Sequence, residues 1–264
     1  MPLIEIENVH LAYSSLPVLS GVQLAIGEGE FVCLLGETGC GKSSLLRLLL
    51  GAERPSSGKV LIAGEARPRP DRARGYVPQK YSLFPDKTVL DNITFGAEVS
   101  EFSFFGRITP RFRARRIQLR EEALEYIRRI GLRQEDSAKY PHQLSGGMQQ
   151  RVAIAQALMT KPRILLMDEA FSALDPGTRR EMQRLLRDLW SATGTTIIFV
   201  THNTQEALSM GTRIVVLAKE PPHLGSRVML DLPVPEPCAE EEIPRLVRKV
   251  ESASQRGKLA AIPA

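Results

Sequence analysis

The octapeptide GETGCGKS, residues 36–43, has the residue types and the spacing of a phosphate-binding loop. Three glycines allow its backbone to curl so that N–H groups surround phosphates: Gly36, Gly39 and Gly41. Lys42 can reach the terminal phosphates, and Ser43 offers a hydroxyl to Mg²⁺. An apolar run precedes the loop and a helical pattern follows it, which is the context that this spacing requires. We refer to this octapeptide as the P-loop.

The segment ILLMDEA, residues 164–170, places two carboxylates directly after four apolar residues. The apolar residues predict a fully buried strand, whose carboxyl end is where ligands bind in an open α/β sheet. We therefore expect Asp168 to hold Mg²⁺, directly or through water, and Glu169 to polarise the attacking water. The alternative is that the two carboxylates only begin a helix.

Two further polar residues, His202 and Gln79, gain meaning from this arrangement. His202 closes the buried strand pattern TTIIFVTH, so it is expected at the same edge of the sheet. It is interpreted as a sensor of the terminal phosphate, with a purely structural hydrogen bond as the alternative. Gln79 lies at the start of the predicted helical lobe, and a single glutamine there does not by itself indicate a function.

A second anion site is predicted at LSGGMQQR, residues 144–151. Its serine and two glycines precede a helical run, and the N-terminus of such a helix presents unpaired N–H groups and a positive dipole end. The sequence thus contains two surfaces suited to phosphate, although one nucleotide needs only one of them.

The composition of the chain limits its domain count, its redox compartment and its location in the cell. The chain has 264 residues, of which 43% are hydrophobic and 25% charged, as in one large domain or a domain with a lobe. Three cysteines predict a reducing compartment and no disulfide framework. Neither a leader segment nor a sufficiently long apolar stretch is evident, which predicts a cytosolic protein. The net charge of +5 is concentrated in residues 107–120, interpreted as a solvated face.

The elements that must position these residues follow from hydrophobic periodicity. A strand meander is predicted before the P-loop, and strand and helix patterns alternate after residue 145. This alternation favours a parallel sheet covered by helices. A helical lobe is predicted at about residues 80–160. Residues 221–264 form a tail with a short strand and an amphipathic helix.

In this order and at these intervals, GETGCGKS, Gln79, LSGGMQQR, LLMDEA, SALD (residues 172–175) and His202 resemble the ATP-binding cassette (ABC) family. The resemblance covers residues 3–220. It implies an α/β P-loop NTPase fold with a parallel-sheet core, an N-terminal antiparallel β-subdomain and a helical lobe. The ATPase domain is then expected at residues 1–220, with ATP and Mg²⁺ as cofactors.

The resemblance also implies a role for each motif. Two cassettes pack head to tail, so the LSGG turn of one completes the ATP site of the other. Tyr13 is expected to stack on adenine, unless it is a plain strand aromatic. The implied nucleotide contacts are Tyr13, Gly36, Glu37, Thr38, Gly39, Cys40, Gly41, Lys42, Ser43, Ser44, Ser145, Gly146, Gly147 and Gln149. The implied metal contacts are Ser43, Gln79 and Asp168, and the implied catalytic set is Glu169, His202, Gln79 and Asp175, which bridges the two sites.

The partners implied by the resemblance are a second ATPase subunit (identical or a paralogue), an integral membrane permease and, through it, a periplasmic or extracellular solute-binding protein. No nucleic acid is expected, and the location implied is the cytoplasmic face of the cell membrane. Several segments are similar to the importer branch for nitrate, sulfonates and taurine: LSGGMQQRVAIAQAL, DEAFSALD, VTHNTQEALSMGTRIVVLA and RVMLDLPVP. The alternatives are a non-importing membrane complex for lipid or export and, with less support, a soluble ATPase acting on nucleic acid.

Two local expectations complete the analysis. Cys40 lies in the P-loop at a helix N-terminus, where the pKa of a thiol tends to fall, so maleimide is expected to block the ATPase and ATP to protect it. Residues 100–116 resemble an insertion in the lobe that faces the permease. They are interpreted as a contact with the partner or with anionic lipid, or alternatively as a mere surface insertion.

Overall fold

A computed structural model of the chain describes residues 1–67, 69–80, 82–102, 109–219, 224–235 and 242–259, with side chains described up to residue 254. The chain divides into two compact units. The first consists of Met1–Asp71, Leu166–Glu169 and Trp190–Ala264, and the second of Arg72–Leu165 and Ala170–Leu189.

The strands are β1 (Ile4–Tyr13), β2 (Leu16–Ile26), β3 (Phe31–Leu35), β4 (Ser57–Ile62), β5 (Glu65–Ala66), β6 (Arg74–Val77), β7 (Ile164–Asp168), β8 (Thr196–Val200), β9 (Arg213–Lys219) and β10 (Ser226–Pro233). The helices are α1 (Lys42–Leu50), α2 (Val89–Glu101), α3 (Pro110–Arg129), α4 (Gly146–Leu158), α5 (Pro176–Thr193), α6 (Thr204–Met210) and α7 (Ile243–Leu259). Across the described ranges, no helix is both long and apolar enough to span a bilayer.

The sheet of the first unit has the strand order β5-β4-β1-β2-β10-β9-β3-β8-β7. β1 pairs antiparallel with β2 and β4, whereas β3 runs parallel to both β8 and β9. Every residue of β3, β7 and β8 is buried, as expected for parallel strands covered on both faces. The carboxyl ends of β3, β7 and β8 therefore lead into the P-loop, Asp168 and His202 at one edge, as the sequence predicted.

Strand β10 of the predicted tail lies inside this sheet. It pairs antiparallel with β9 and parallel with β2, and so joins the antiparallel and the parallel parts. Arg213 of β9 donates from two nitrogens to the carboxylate of Asp231 on β10, each at 2.6 Å, and also donates to Glu30 at 2.9 Å. This two-point pair fixes the register of β10 beside the core.

The second unit contains α2, α3 and α4, and the arginines of α3 pair with carboxylates of α2. Arg115 bonds Glu101 at 2.8 Å, and Arg120 bonds Asp91 at 2.9 Å. These pairs hold the pKa of Glu101 below its usual range and raise that of Arg115. The basic stretch is thus only partly the solvated face that the sequence suggested. Residues 103–108 of the predicted insertion lie outside the described residues.

Candidate functional site

The P-loop connects β3 to α1 and leaves little room at two of its glycines. A Cβ atom at Gly36 would lie 2.4 Å from the carbonyl oxygen of Leu217, and one at Gly41 would lie 2.9 Å from Val18. Gly41 also has a φ of 96° and accepts the first helical hydrogen bond, from the amide of Leu45 at 2.9 Å. Only glycine combines this backbone conformation with so close a packing.

Lys42 lies at the centre of the loop with only 5% of the residue exposed. Its ammonium donates to the carbonyl oxygens of Gly36 at 2.7 Å and Glu37 at 2.8 Å. These contacts offset the cost of burying a charge. The third contact of the ammonium is the weak one to Cys40 Sγ at 4.0 Å, which an anion held by the loop can replace. Lys42 is therefore positioned by the loop itself before any phosphate contact.

The structure contradicts the expectation that the pKa of the Cys40 thiol falls. The residue is 4% exposed, and burial raises the pKa of its thiol. Lys42, whose ammonium lies 4.0 Å from Sγ, opposes that rise without reversing it. The position at a helix N-terminus predicted a lowered thiol pKa, and this prediction is wrong. Desolvation of the thiolate raises the pKa by more than the nearby positive charge lowers it.

We therefore expect maleimide to leave Cys40 unmodified in the folded protein at pH 7, because reaction requires an accessible thiolate. Peptide mass spectrometry after labelling, with and without prior denaturation, gives the modification of each cysteine separately. Cys33, which is fully buried in β3, is the internal control for protection by burial. Labelling of native Cys40 at the rate of a free thiol would contradict this expectation. Cys238 lies outside the described residues.

The carboxylates predicted after β7 lie at the ligand edge, within the first unit. Asp168 is largely buried, and Glu169 has a φ of 45°, which is unusual for a residue with a side chain. The amide of Glu169 donates to the carbonyl oxygen of Val200 on β8 at 3.1 Å, which holds this conformation. Such strain costs about 1–3 kcal/mol and is concentrated at functional sites. The backbone conformation at this turn therefore fixes the position from which the Glu169 side chain extends.

His202 follows β8 on the same edge, with 63% of its side chain exposed. Its Nδ1 lies 3.9 Å from a carboxylate oxygen of Glu169, too far for a hydrogen bond. The preceding residue, Thr201, is buried and donates to Glu206 at 2.5 Å, while Asn203 caps α6. The sequence analysis missed Thr201 and Glu206 as supports of His202, although the capping spacing of Asn203 and Glu206 was visible in the sequence.

Tyr13 ends β1 and is anchored through its hydroxyl. That group donates to the carboxylate of Glu53 at 2.7 Å and accepts from Arg47 at 3.0 Å. Ser44 of α1 lies 3.2 Å from the same oxygen. Because the hydroxyl is held and the residue is 42% exposed, the ring remains available for stacking. The contact with adenine stays a prediction.

The turn at residues 144–147, here called the signature turn, lies in the second unit. Ser145 caps α4 by accepting from the amide of Met148 at 3.3 Å, so Gly146 and Gly147 form the first turn of the helix. A Cβ at Gly147 would lie 2.6 Å from a methyl group of Thr178, which explains the need for glycine. The predicted helix N-terminus is present.

Three other predicted residues also belong to the second unit. Asp175 accepts from the amides of Gly177 at 3.0 Å and Thr178 at 3.1 Å, and the hydrogen bond from Thr178 lowers the pKa of Asp175. The side-chain amide of Gln149 donates to the carbonyl oxygen of Pro141 at 3.0 Å and to that of Leu144, the first residue of the signature turn, at 3.2 Å. Gln79 is exposed, two residues after β6. The hydrogen bonds of Asp175 and Gln149 described here therefore all lie within the second unit.

Gln150 on α4 is a residue that the sequence analysis did not single out. It is fully buried, and neither its amide nitrogen nor its amide oxygen has a partner among the described residues. An unpaired buried polar group costs about 1–3 kcal/mol. Burial of this kind depends on packing and leaves no mark in the local sequence.

Replacing Gln150 with methionine, which has a similar shape, is expected to stabilise the protein by about 1 kcal/mol. At this chain length that corresponds to a rise in Tm of about 2–4 °C, measurable by calorimetry. Gln118→Met on the exposed part of α3 is the matched control, with a change within about 0.5 kcal/mol. An unchanged or lower Tm for Gln150→Met would show that the amide is paired in solution.

The residues at the ligand edge fit a nucleotide with Mg²⁺. The side chains of Ser43 and Asp168 carry oxygen atoms of the kind that Mg²⁺ prefers as ligands, and their role as ligands stays a prediction. No group of three or more His, Cys, Asp or Glu residues able to hold a metal occurs in the described part of the chain. Mg²⁺ is usually bound by one or two protein oxygens together with phosphates and water. When bound, Mg²⁺ neutralises charge on the phosphates.

Comparison with known proteins agrees with this geometry. A family model described as ABC transporter matches residues 19–172. The chain is 42% identical over 217 residues to an uncharacterised ABC transporter ATP-binding protein, MJ0412, of Methanocaldococcus jannaschii, covering 82% of this chain and 76% of that protein. It is 40% identical over 221 residues to the spermidine/putrescine import ATP-binding protein PotA of Haemophilus influenzae, covering 83% and 56%. It is 41% identical over 220 residues to the sulfate/thiosulfate import ATP-binding protein CysA of Mesorhizobium japonicum, covering 82% and 61%.

Among solved structures, the chain is similar to the dimeric post-hydrolysis state of the ATP-binding cassette MJ0796 bound to ADP and Pi. The TM-score is 0.71 at 32% identity, and the match covers 88% of this chain and 99% of that one. The predicted α/β cassette fold is confirmed by this similarity.

Proposed function

Because this chain belongs to the ABC transporter family, we propose that it drives a membrane importer of a small solute such as nitrate, a sulfonate or taurine. The chain is an ATP-binding subunit that hydrolyses ATP, with Mg²⁺ as cofactor. ABC ATPases dimerise and work with membrane permeases. The roles of individual residues and the nature of the solute belong to the proposal.

One observation carries the dimeric mechanism: a single chain has two surfaces suited to phosphate, the P-loop and the signature turn. A single nucleotide needs only one phosphate surface, so the second is available to a partner's nucleotide. Ser145, Gly146 and Gly147 then complete the site of the partner subunit, and Asp175 bridges the two sites. ATP stabilises the closed dimer because each nucleotide is bound by both subunits, and hydrolysis removes that preference.

Within one site the residues divide the work of hydrolysis. The P-loop amides and Lys42 would bind the phosphates, while Ser43 and Asp168 would hold the metal, with Gln79 as a further contact. Glu169 accepts a proton from the attacking water, and the exposed His202 donates to the terminal phosphate. The other residues assigned to nucleotide binding, Glu37, Thr38, Gly39, Cys40, Ser44 and Gln149, line or support the loop and the signature turn.

The solute class is supported by four segments of the sequence that are similar to the nitrate, sulfonate and taurine branch. Overall identity does not discriminate between solutes. PotA and CysA are named for cationic polyamines and for sulfate or thiosulfate, yet they differ from this chain to the same extent. In this architecture, the permease and the solute-binding protein contact the solute.

The assembly is tested by purifying the tagged chain from detergent-solubilised membranes of its native host, followed by quantitative mass spectrometry. We expect a polytopic membrane protein at near one-to-one stoichiometry. A dimer without a membrane partner, or one bound to DNA or ribosomes, would contradict the transporter role and leave the ATPase chemistry intact.

The solute is tested by uptake in a strain that lacks the chain. Complementation with the parent chain is expected to restore uptake of labelled nitrate, alkanesulfonate or taurine. The Glu169→Gln variant is the matched control, because it should assemble with the same permease and restore no uptake. Restored uptake of polyamines alone would contradict the solute class.

A further inference from the structure

A groove of about 520 Å³ lies between β10 and α7 in the first unit, outside the residues assigned to ATP. Its floor is apolar and consists of Met229, Leu230 and Leu232 on β10. Its rim is cationic and consists of Arg245, Arg248 and Lys249 on α7. The volume is within the range of small-molecule binding sites.

The floor depends on an irregularity in β10. Val228 pairs with Leu217 of β9 and Leu230 pairs with Val216, so Met229 is an extra residue without its own partner on β9. In a regular strand, adjacent side chains point to opposite faces. A bulge redirects the extra side chain, and here both Met229 and Leu230 line the groove. The three apolar residues are partly exposed, so the described part of the chain does not fully cover this surface.

The rim follows from the spacing of charges along α7. Arg245, Arg248 and Lys249 are three and four residues apart, so they form one stripe on the helix. On the face turned to the core, Leu246 and Val250 are buried. Neighbouring like charges on a helix repel one another. Two exposed carboxylates, Glu242 and Glu251, lie three residues before Arg245 and three residues after Arg248, so they offset part of this repulsion from the two ends of the stripe. Within the stripe, Arg248 donates to the backbone carbonyl of Pro244 at 3.3 Å.

We propose that this groove binds a small organic anion with an apolar body. Its carboxylate, sulfonate or phosphate group contacts Arg245, Arg248 and Lys249, and its apolar part covers the floor. The anionic group of the ligand reduces the repulsion between the positive charges of the stripe. The apolar part of the ligand removes the partly exposed side chains of the floor from water. Neither a cation nor a fully polar anion would satisfy both parts of the groove.

Helix α7 connects this groove to the nucleotide site. Glu251 and Ser254 line a second cleft of about 600 Å³ together with Gly36, Thr38 and His202. Residues of one helix therefore contact both the anion groove and the P-loop edge. A ligand in the groove contacts the helix that also carries Glu251 and Ser254, so we expect it to change the affinity of the P-loop edge for ATP. By linkage, ATP must change the affinity of the groove for its ligand by the same factor.

Binding is tested with octane-1-sulfonate as the probe, by titration calorimetry on the purified full-length chain. We expect saturable binding that weakens by at least tenfold in the Arg245→Gln/Arg248→Gln double variant and falls with added salt. The apolar floor predicts about a fourfold loss of affinity for each methylene removed, down to butane-1-sulfonate. Octyltrimethylammonium, with the same alkyl chain and opposite charge, should not bind.

The control variant is Arg227→Gln, which removes an exposed arginine of β10 that does not line the groove. It should bind octane-1-sulfonate like the parent, and unchanged Tm values verify that all variants are folded. Undetectable binding, or equal binding by the double variant and the parent, would overturn the proposal. So would binding to phosphatidylglycerol vesicles without binding of the free sulfonate, because that result assigns the groove to a lipid surface.

The link to ATP is tested by the Kd of a fluorescent ATP analogue with and without saturating octane-1-sulfonate. We expect at least a twofold shift in the parent and in Arg227→Gln, and none in the double variant. An unchanged Kd in the parent would overturn the link while leaving the groove as a binding site. ATP binding without the sulfonate is measured in the same experiment, so failure of the ATPase assignment would be recognised separately.

Discussion

Glu169→Gln is expected to lower ATP turnover by about 10²- to 10⁴-fold, the usual contribution of a general base, and to leave ATP binding intact. Glutamine keeps the shape of the side chain but has no carboxylate to accept a proton. The positive φ of 45° and the hydrogen bond from the Glu169 amide to Val200 belong to the backbone, so both are preserved. Because the closed dimer then forms but does not hydrolyse ATP, it should accumulate.

The measurements are phosphate release, equilibrium binding of a fluorescent ATP analogue, and size-exclusion chromatography with ATP and Mg²⁺. Glu65→Gln is the matched control. Glu65 lies on the short strand β5 and pairs with Arg67 in an exposed ion pair, whose loss costs at most about 1 kcal/mol. Turnover of Glu169→Gln at the parent rate would assign the base to another group. A monomer in the presence of ATP would contradict the trapped closed state.

The local sequence was sufficient to predict the strand, loop and helix that form the P-loop region. A buried strand, a glycine-rich loop and a helix follow one another within residues 31–50, so their arrangement depends on neighbouring residues. The same holds for the strands that end at Asp168 and before His202. Parallel strands bring their carboxyl ends to one edge, so each short pattern also located its polar residue.

Distant contacts explain what the sequence analysis did not find. The position of β10 between β2 and β9 depends on pairing with Leu19 and with β9, and no periodicity in the tail encodes its neighbours. Cys40 appeared activated because the helix N-terminus is a local feature, whereas its burial is set by the whole fold. The arginines of α3 likewise form ion pairs with carboxylates 14 to 29 residues earlier in the chain.

Lys42→Met is expected to weaken ATP binding by about 10- to 100-fold, as for the loss of a charge-assisted hydrogen bond to a buried site. Methionine fills the same volume but donates no hydrogen bond. The carbonyl oxygens of Gly36 and Glu37, now bonded to the Lys42 ammonium, would lose their donor as well. Turnover should fall with affinity, because Lys42 is the side-chain cation that we assign to the terminal phosphate.

The Kd of a fluorescent ATP analogue measures the first effect, and phosphate release at saturating ATP measures the second. Lys59→Met is the matched control, since it makes the same change in charge and side chain at an exposed position of β4. Thermal unfolding separates lost phosphate contacts from a collapsed loop. A Tm close to that of the parent with weak ATP binding assigns the effect to the missing ammonium. Parent-like affinity would mean that Lys42 serves the loop carbonyls alone, and the P-loop amides would then carry phosphate binding without it.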